Sequence, residues 1–188
     1  MADTKDWTWV LERTCPECGF DVRDLDRRAV GSTTRSLTRW FVALLTDRDP
    51  DQLRPRPQPE VWSALEYSCH IRDVFRVMRE RLQLMLDEDE PHFPNWDQDA
   101  TAVDDDYARQ DPSLVRADLA IEGHRVAELF DTVHDDQWDR RGFRSNGSVF
   151  TVESLGRYMV HDLVHHVWDL ETGAARAASD RGCLESPS

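Results

Sequence analysis

The stretch VHDLVHHVWDL, residues 160–170, sets three histidines and two aspartates among apolar residues. At about 100° per residue, Leu155, Met159, Leu163, Val167 and Leu170 make one broad apolar face, which predicts an amphipathic helix packed on a core. His161 and His165 fall on a narrower strip with Ser154, Tyr158 and Trp168. His166 points instead close to Leu155 and Met159. The strip admits two readings. It is the wet side of the helix, or it is a pair of imidazoles four residues apart, one above the other, able to reach one metal ion at about 2.0–2.1 Å each. Tyr158 and Trp168 bracket the pair, which is unusual for a face that meets only water.

Working outward, three further segments read as helices. The first covers 26–46, with Val30, Leu37, Trp40, Phe41 and Leu44 at helical spacing. A proline-rich connector, Pro50 to Pro59, reads as extended surface chain. The second helix starts at a capping box, Ser63 and Glu66, and carries Tyr67, Ile71, Val74, Met78, Leu82 and Met85 as its stripe. The acidic segment 87–111 is long for a loop in a compact domain, and such loops are usually functional or mobile. The third helix opens at Asp111-Pro112, an N-cap followed by proline at the first helical position. Asn146-Gly147 suggests a hairpin, and Thr151 can cap the fourth helix, expected to end near Gly173. The pattern predicts an all-α fold, a four-helix bundle with long inter-helix loops. Residues 1–25 form a leader containing a CPECGF turn, 26–173 the bundle, and 174–188 a flexible tail.

Composition narrows the partners. The chain of 188 residues carries 37 acidic against 23 basic side chains, a formal charge of −14. That field repels phosphate backbones and anionic headgroups, so neither nucleic acid nor membrane is expected as a partner. The N-terminus lacks the features of a signal peptide, and no apolar run is long enough to span a bilayer. Cys15, Cys18, Cys69 and Cys183 are too few and too unevenly spaced for a disulfide scaffold. A cytoplasmic location is expected.

A third imidazole lies on the second helix. His70 sits between Tyr67 and Val74, about 60° from the centre of the stripe. A histidine in that position is usually buried and hydrogen-bonded to a neighbour. With a histidine pair on a facing helix, a site of three nitrogens, His70, His161 and His165, is also geometrically open, and bundle cores build metal sites in this way. Three protein donors leave a coordination position free, the arrangement of a working rather than a structural zinc. Cys15 and Cys18 resemble half of a zinc knuckle, but no second C-x-x-C completes it, and a turn packed beside the bundle is the simpler reading. Glu122 falls inside the third helix's apolar stripe. It could orient a ligand, accept a proton, or pair with an arginine, the commonest outcome. Cys69 points away from His70, towards Arg72 and Arg76, which read as solvated surface; it is taken as neither nucleophile nor ligand. Asp162 and Asp169 could orient imidazoles but read as surface residues.

The pattern from Trp62 to His70 (WSALEYSCH), a long loop, another helix and then His161 to Leu170 (HDLVHHVWDL) resembles the DinB-like superfamily, from the first helix to about Gly173. The resemblance implies a metal-binding four-helix bundle and a divalent metal, zinc first and nickel or iron next, held by His70, His161 and His165, with His166 as the alternative to His165. In the isomerase branch of that superfamily the position matching His161 can be a glutamate. The resemblance also implies a metal-dependent thiol S-transferase, with mycothiol as co-substrate and a small electrophile as acceptor, and by analogy a homodimer. A hydrolase on the same site and a non-catalytic metal-binding or stress-response protein are the alternatives.

Overall fold

The computed structural model describes residues 7–184, with side chains described as far as residue 173. Four long helices form the bundle: α1 (Val30–Asp47), α3 (Ala64–Asp87), α5 (Pro112–Asp131) and α6 (Val152–Leu184). Two short helices, α2 (Pro50–Leu53) and α4 (Gln98–Asp104), lie in the connections. Helix α1 packs on α5 and α6, and α3 also packs on α5 and α6. The order around the bundle is therefore α1–α5–α3–α6, and α1 and α3 face each other across the core.

The helix starts are set by local chemistry. Ser63 Oγ accepts from the Glu66 amide at 3.2 Å, and the Glu66 carboxylate accepts from the Ser63 amide at 2.8 Å, closing the capping box of α3. Asp111 caps α5 through the Ser113 amide, with Pro112 at the first helical position. Thr151 and Ser154 bond reciprocally at the start of α6. Asp26, where the first helix was expected to begin, instead caps the 3-10 turn Arg27–Ala29 that leads into α1.

Three segments are more ordered than their composition suggests. The proline-rich connector is pinned by buried Leu53 in α2. The acidic segment contains β1 (His92–Phe93), helix α4 and the 3-10 turn Tyr107–Arg109, fastened by the buried side chains of Phe93 and Tyr107. Strand β1 runs parallel to β2 (Arg141–Arg144), which pairs antiparallel with β3 (Val149–Thr151), the hairpin expected around Asn146-Gly147. Helix α6 runs on past Gly173 to Leu184, so the tail expected from 174 continues the helix over most of its length, and residues 185–188 lie outside the described residues. The leader makes two 3-10 turns, Thr8–Leu11 and Val22–Asp24, and both rest on α6.

Two polar groups sit where the sequence left several readings open. Glu122 is buried and pairs with arginines, its Oε1 2.9 Å from Arg125 Nη1 and its Oε2 3.4 Å from Arg79 Nε. Among the described residues it belongs to no candidate metal-binding group. Arg72, expected on a solvated surface, is only 5 % exposed. Its guanidinium grips Asp73 through Nε (2.9 Å) and Nη2 (2.8 Å), and Tyr107 OH donates to the same carboxylate at 2.6 Å. A buried arginine needs such a partner, and the acidic segment supplies the tyrosine. Cys69 is buried beside Tyr107 and Gln110, and burial pushes its thiol up to about 12, which suits neither nucleophile nor ligand.

Candidate metal centre

Helix α6 carries two donor sets offset by one residue. Asp162 and His166 project towards α3, and His161 and His165 project towards the leader, because successive residues are rotated by about 100°. The structure therefore does not gather His70, His161 and His165 into one donor group. It places His70 with Asp162 and His166, and it places His161 and His165 with Cys15 and Cys18; within each set the donor atoms lie within 4.8 Å of one another.

In the first set Asp162 and His166 line a cleft, and His70 is buried beside them. His70 is 0 % exposed, and neither ring nitrogen has a hydrogen-bond partner among the described residues. Its Nε2 stands 3.5 Å from Asp162 Oδ2, while His166 Nε2 stands 3.3 Å from Asp162 Oδ1. His166 Nδ1 is bonded to Asp169 Oδ2 at 2.9 Å, which fixes the ring and leaves Nε2 turned to the centre. Trp96 of the acidic segment stacks on His70 with centroids 5.5 Å apart, and Trp62 covers the ring at 5.3 Å. These aromatic rings account for why a histidine can be held here without water.

Electrostatics fit a cation. Burial holds the His70 imidazole below its ordinary pKa, so the ring stays neutral and able to donate a lone pair. Burial alone would raise the Asp162 carboxyl, but His166 and His70 outweigh it and hold it well below the carboxylate range. Burial alone would lower His166; Asp162 and Asp169 outweigh it and lift the imidazole to about 9. An unbonded, completely buried imidazole facing a carboxylate and a second imidazole is costly as a structural element. As a set of metal donors it is complete. The side chains of Asp162 and His166 retain 27 % and 14 % exposure, so the centre opens to the cleft.

The cleft has a volume of about 200 Å³, and its walls include Trp7, Met78, Arg81, Trp96, Arg144 and Tyr158. Arg81 is 6 % exposed, and no carboxylate pairs with it among the described residues; it donates to Pro94 O at 3.2 Å and lies over the Phe93 ring. Burial, aided by the neighbouring Arg144, lowers its pKa to about 10. Arg144 bonds Asn95 through Nη2 and keeps a buried Nε without a partner. Two guanidiniums that form no ion pair among the described residues thus face the same small space as Asp162 and Asp169.

The second set borders the same cleft, since His161 and His165 also line it. Cys15, His161 and His165 are buried and Cys18 is half-buried. Burial, with Cys15 alongside, pushes the Cys18 thiol up to about 11, and burial lowers His161 to about 4.

A helical bundle with three donors opening into a cleft defines a class of metal-site scaffolds, and the sequence places the chain within one family of it. The DinB superfamily model matches residues 32–170, and the chain belongs to that superfamily. Among solved structures it is similar to YfiT from Bacillus subtilis, described as a probable metal-dependent hydrolase with an unusual four-helix bundle topology (TM-score 0.71, 21% identity, covering 81% of this chain and 87% of that one). It is also similar to the mycothiol-dependent maleylpyruvate isomerase (TM-score 0.64, 12% identity, covering 79% of this chain and 62% of that one). No curated protein matches the chain.

Sequence reasoning did not bring Asp162 together with His70 and His166, as the fold does. The signal was present: on the wheel Asp162 and His166 lie within about 20° of Leu155, at the centre of the apolar face. An aspartate there is expensive without a partner. It also missed that the fold brings Cys15 and Cys18 beside His161 and His165, a C-x2-C and an H-x3-H separated by most of the chain.

Proposed function

We propose that this protein is a metal-dependent enzyme whose divalent cation, zinc in the first instance, is held by His70, Asp162 and His166, and that it transfers a low-molecular-weight thiol such as mycothiol to a small electrophile. The observation that carries the reading is His70, fully buried with both ring nitrogens unbonded among the described residues and grouped with a carboxylate and a second imidazole that line a cleft. A cation on three protein donors supplies an open position and a positive charge that lower the pKa of a thiol from its free value of ~8.5. Asp169 holds the His166 ring in the tautomer that presents Nε2. Trp96 and Trp62 keep bulk water from His70. Arg81 and Arg144 select an anionic group on the thiol or on the acceptor, since neither guanidinium has an ion-pair partner among the described residues. In the transfer the sulfur–hydrogen bond ionises, its proton passing to solvent. The sulfur lone pair then forms the bond to carbon, and the leaving group departs with its electron pair. The protein's part is to hold the two partners in line at that step.

Hydrolysis on the same donors is the second reading, favoured by the likeness to YfiT. The two are separated by assay of the purified, metal-replete protein. Thiol-dependent consumption of monobromobimane or chlorodinitrobenzene is expected, and ester or amide hydrolysis without thiol would replace the transferase reading. Alanine at His70, Asp162 or His166 is expected to lower metal content by one equivalent and activity at least 10²-fold, as for loss of a principal catalytic electrostatic group. Unchanged metal content in all three variants would reject the site.

A further inference from the structure

At one wall of the cleft, the leader and the outer strip of α6 bring together two sulfurs and two imidazole nitrogens. We infer that Cys15, Cys18, His161 and His165 form a second, structural zinc site that clips the leader to α6 and sets one wall of the cleft.

The distances are those of a coordination sphere. With Zn–S near 2.3 Å and Zn–N near 2.05 Å, a tetrahedral centre separates sulfur from nitrogen by about 3.6 Å. Cys15 Sγ lies 3.7 Å from His165 Nδ1, and Cys18 Sγ lies 3.8 Å from His161 Nε2. All four donor atoms fall within 4.8 Å of each other. Four protein donors leave no coordination position for substrate, which marks a structural centre and distinguishes it from the three-donor cleft. A ligating imidazole ordinarily gives its other N–H to a carboxylate. His165 Nε2 stands 3.3 Å from the Glu17 carboxylate, and Glu17 lies between the two cysteines in the same turn. The turn itself is closed by the Gly19 amide donating to Cys15 O at 2.9 Å and the Cys15 amide donating to Phe20 O at 3.0 Å. Gly19 adopts φ +72°, a conformation open to glycine at little cost.

The clip reaches the cleft through Trp7, whose ring lies 5.5 Å from that of His165 and which lines the cavity. The site stands whether or not the cleft holds a metal.

Elemental analysis of the purified full chain is expected to show one more zinc per chain in the wild type than in Cys15→Ser or Cys18→Ser. His70→Ala keeps that zinc. Cobalt-substituted wild type is expected to show a near-ultraviolet thiolate-to-cobalt charge-transfer band, absent in Cys15→Ser. The wild-type spectrum decides even where a variant fails to fold. A cobalt-loaded wild type without the band, cysteine variants with undiminished zinc, or a Cys15–Cys18 disulfide in protein kept under reducing conditions would each overturn the inference.

Discussion

Asp169 is a member of neither donor group, yet its Oδ2 is 2.9 Å from His166 Nδ1 and holds the ring in place. Asp169→Asn keeps the shape and removes the charge that fixes the tautomer. It is expected to weaken metal binding in the cleft by about 10–100-fold without abolishing it, as measured by competition with a chromogenic chelator. Asp73 offers a second test at a single residue. Burial pushes its carboxyl up, but Arg72 and Tyr107 outweigh that and hold it below its ordinary range. A carboxyl lowered in the native state gives stability that is fully present above about pH 3.9 and is lost as pH falls through the native value. Asp73→Asn leaves Arg72 buried without its counter-charge and is expected to cost about 3 kcal/mol at neutral pH. Urea melts across the acid range should also show a flatter limb in the variant than in the wild type.

At the scale of the element, helix α5 meets α1 and α3 where Gly123 leaves no room for a side chain. A Cβ there would run into Thr38 and come within 2.9 Å of Phe75 Cε2. Gly123→Ala gains helix propensity but overpacks the junction, and a net loss of about 1–3 kcal/mol is expected by denaturant melt. The elements differ in how far they could be read before the structure. The starts of α3, α5 and α6 were legible because Ser63 with Glu66, Asp111 with Pro112, and Thr151 bond within a few residues of themselves. Strand β1 and helix α4 were not, because His92–Phe93 becomes a strand only when β2, about fifty residues later, lies beside it. Of the cleft, His70 was legible from its place near the stripe. Asp162 was passed over as a surface residue, although helix geometry placed it on the core face. The partners of Cys15 and Cys18 were hidden by sequence distance, since 150 residues separate Cys15 from His165.

For the whole molecule, charge and topology act on the cleft from opposite directions. The chain carries −14 overall, yet Arg81 and Arg144 face the cleft without carboxylate partners. At physiological ionic strength the Debye length is about 8 Å, so an anionic ligand inside the cleft is governed by the charges that line it, Arg81 and Arg144 with Asp162 and Asp169, more than by the distant acidic surface. Among the described residues no helix is long and apolar enough to cross a membrane. The ring order α1–α5–α3–α6 sets α1 and α3 diagonally apart, and the leader rests on α6. During synthesis this ordering has a temporal consequence. Trp7 emerges from the ribosome early and must wait for residues 158–169 before the cavity it borders exists at all. A nascent chain arrested after α5 would already possess three helices and His70, but no binding chamber. The last stretch translated into α6 is therefore the one that converts a helical scaffold into a receptacle.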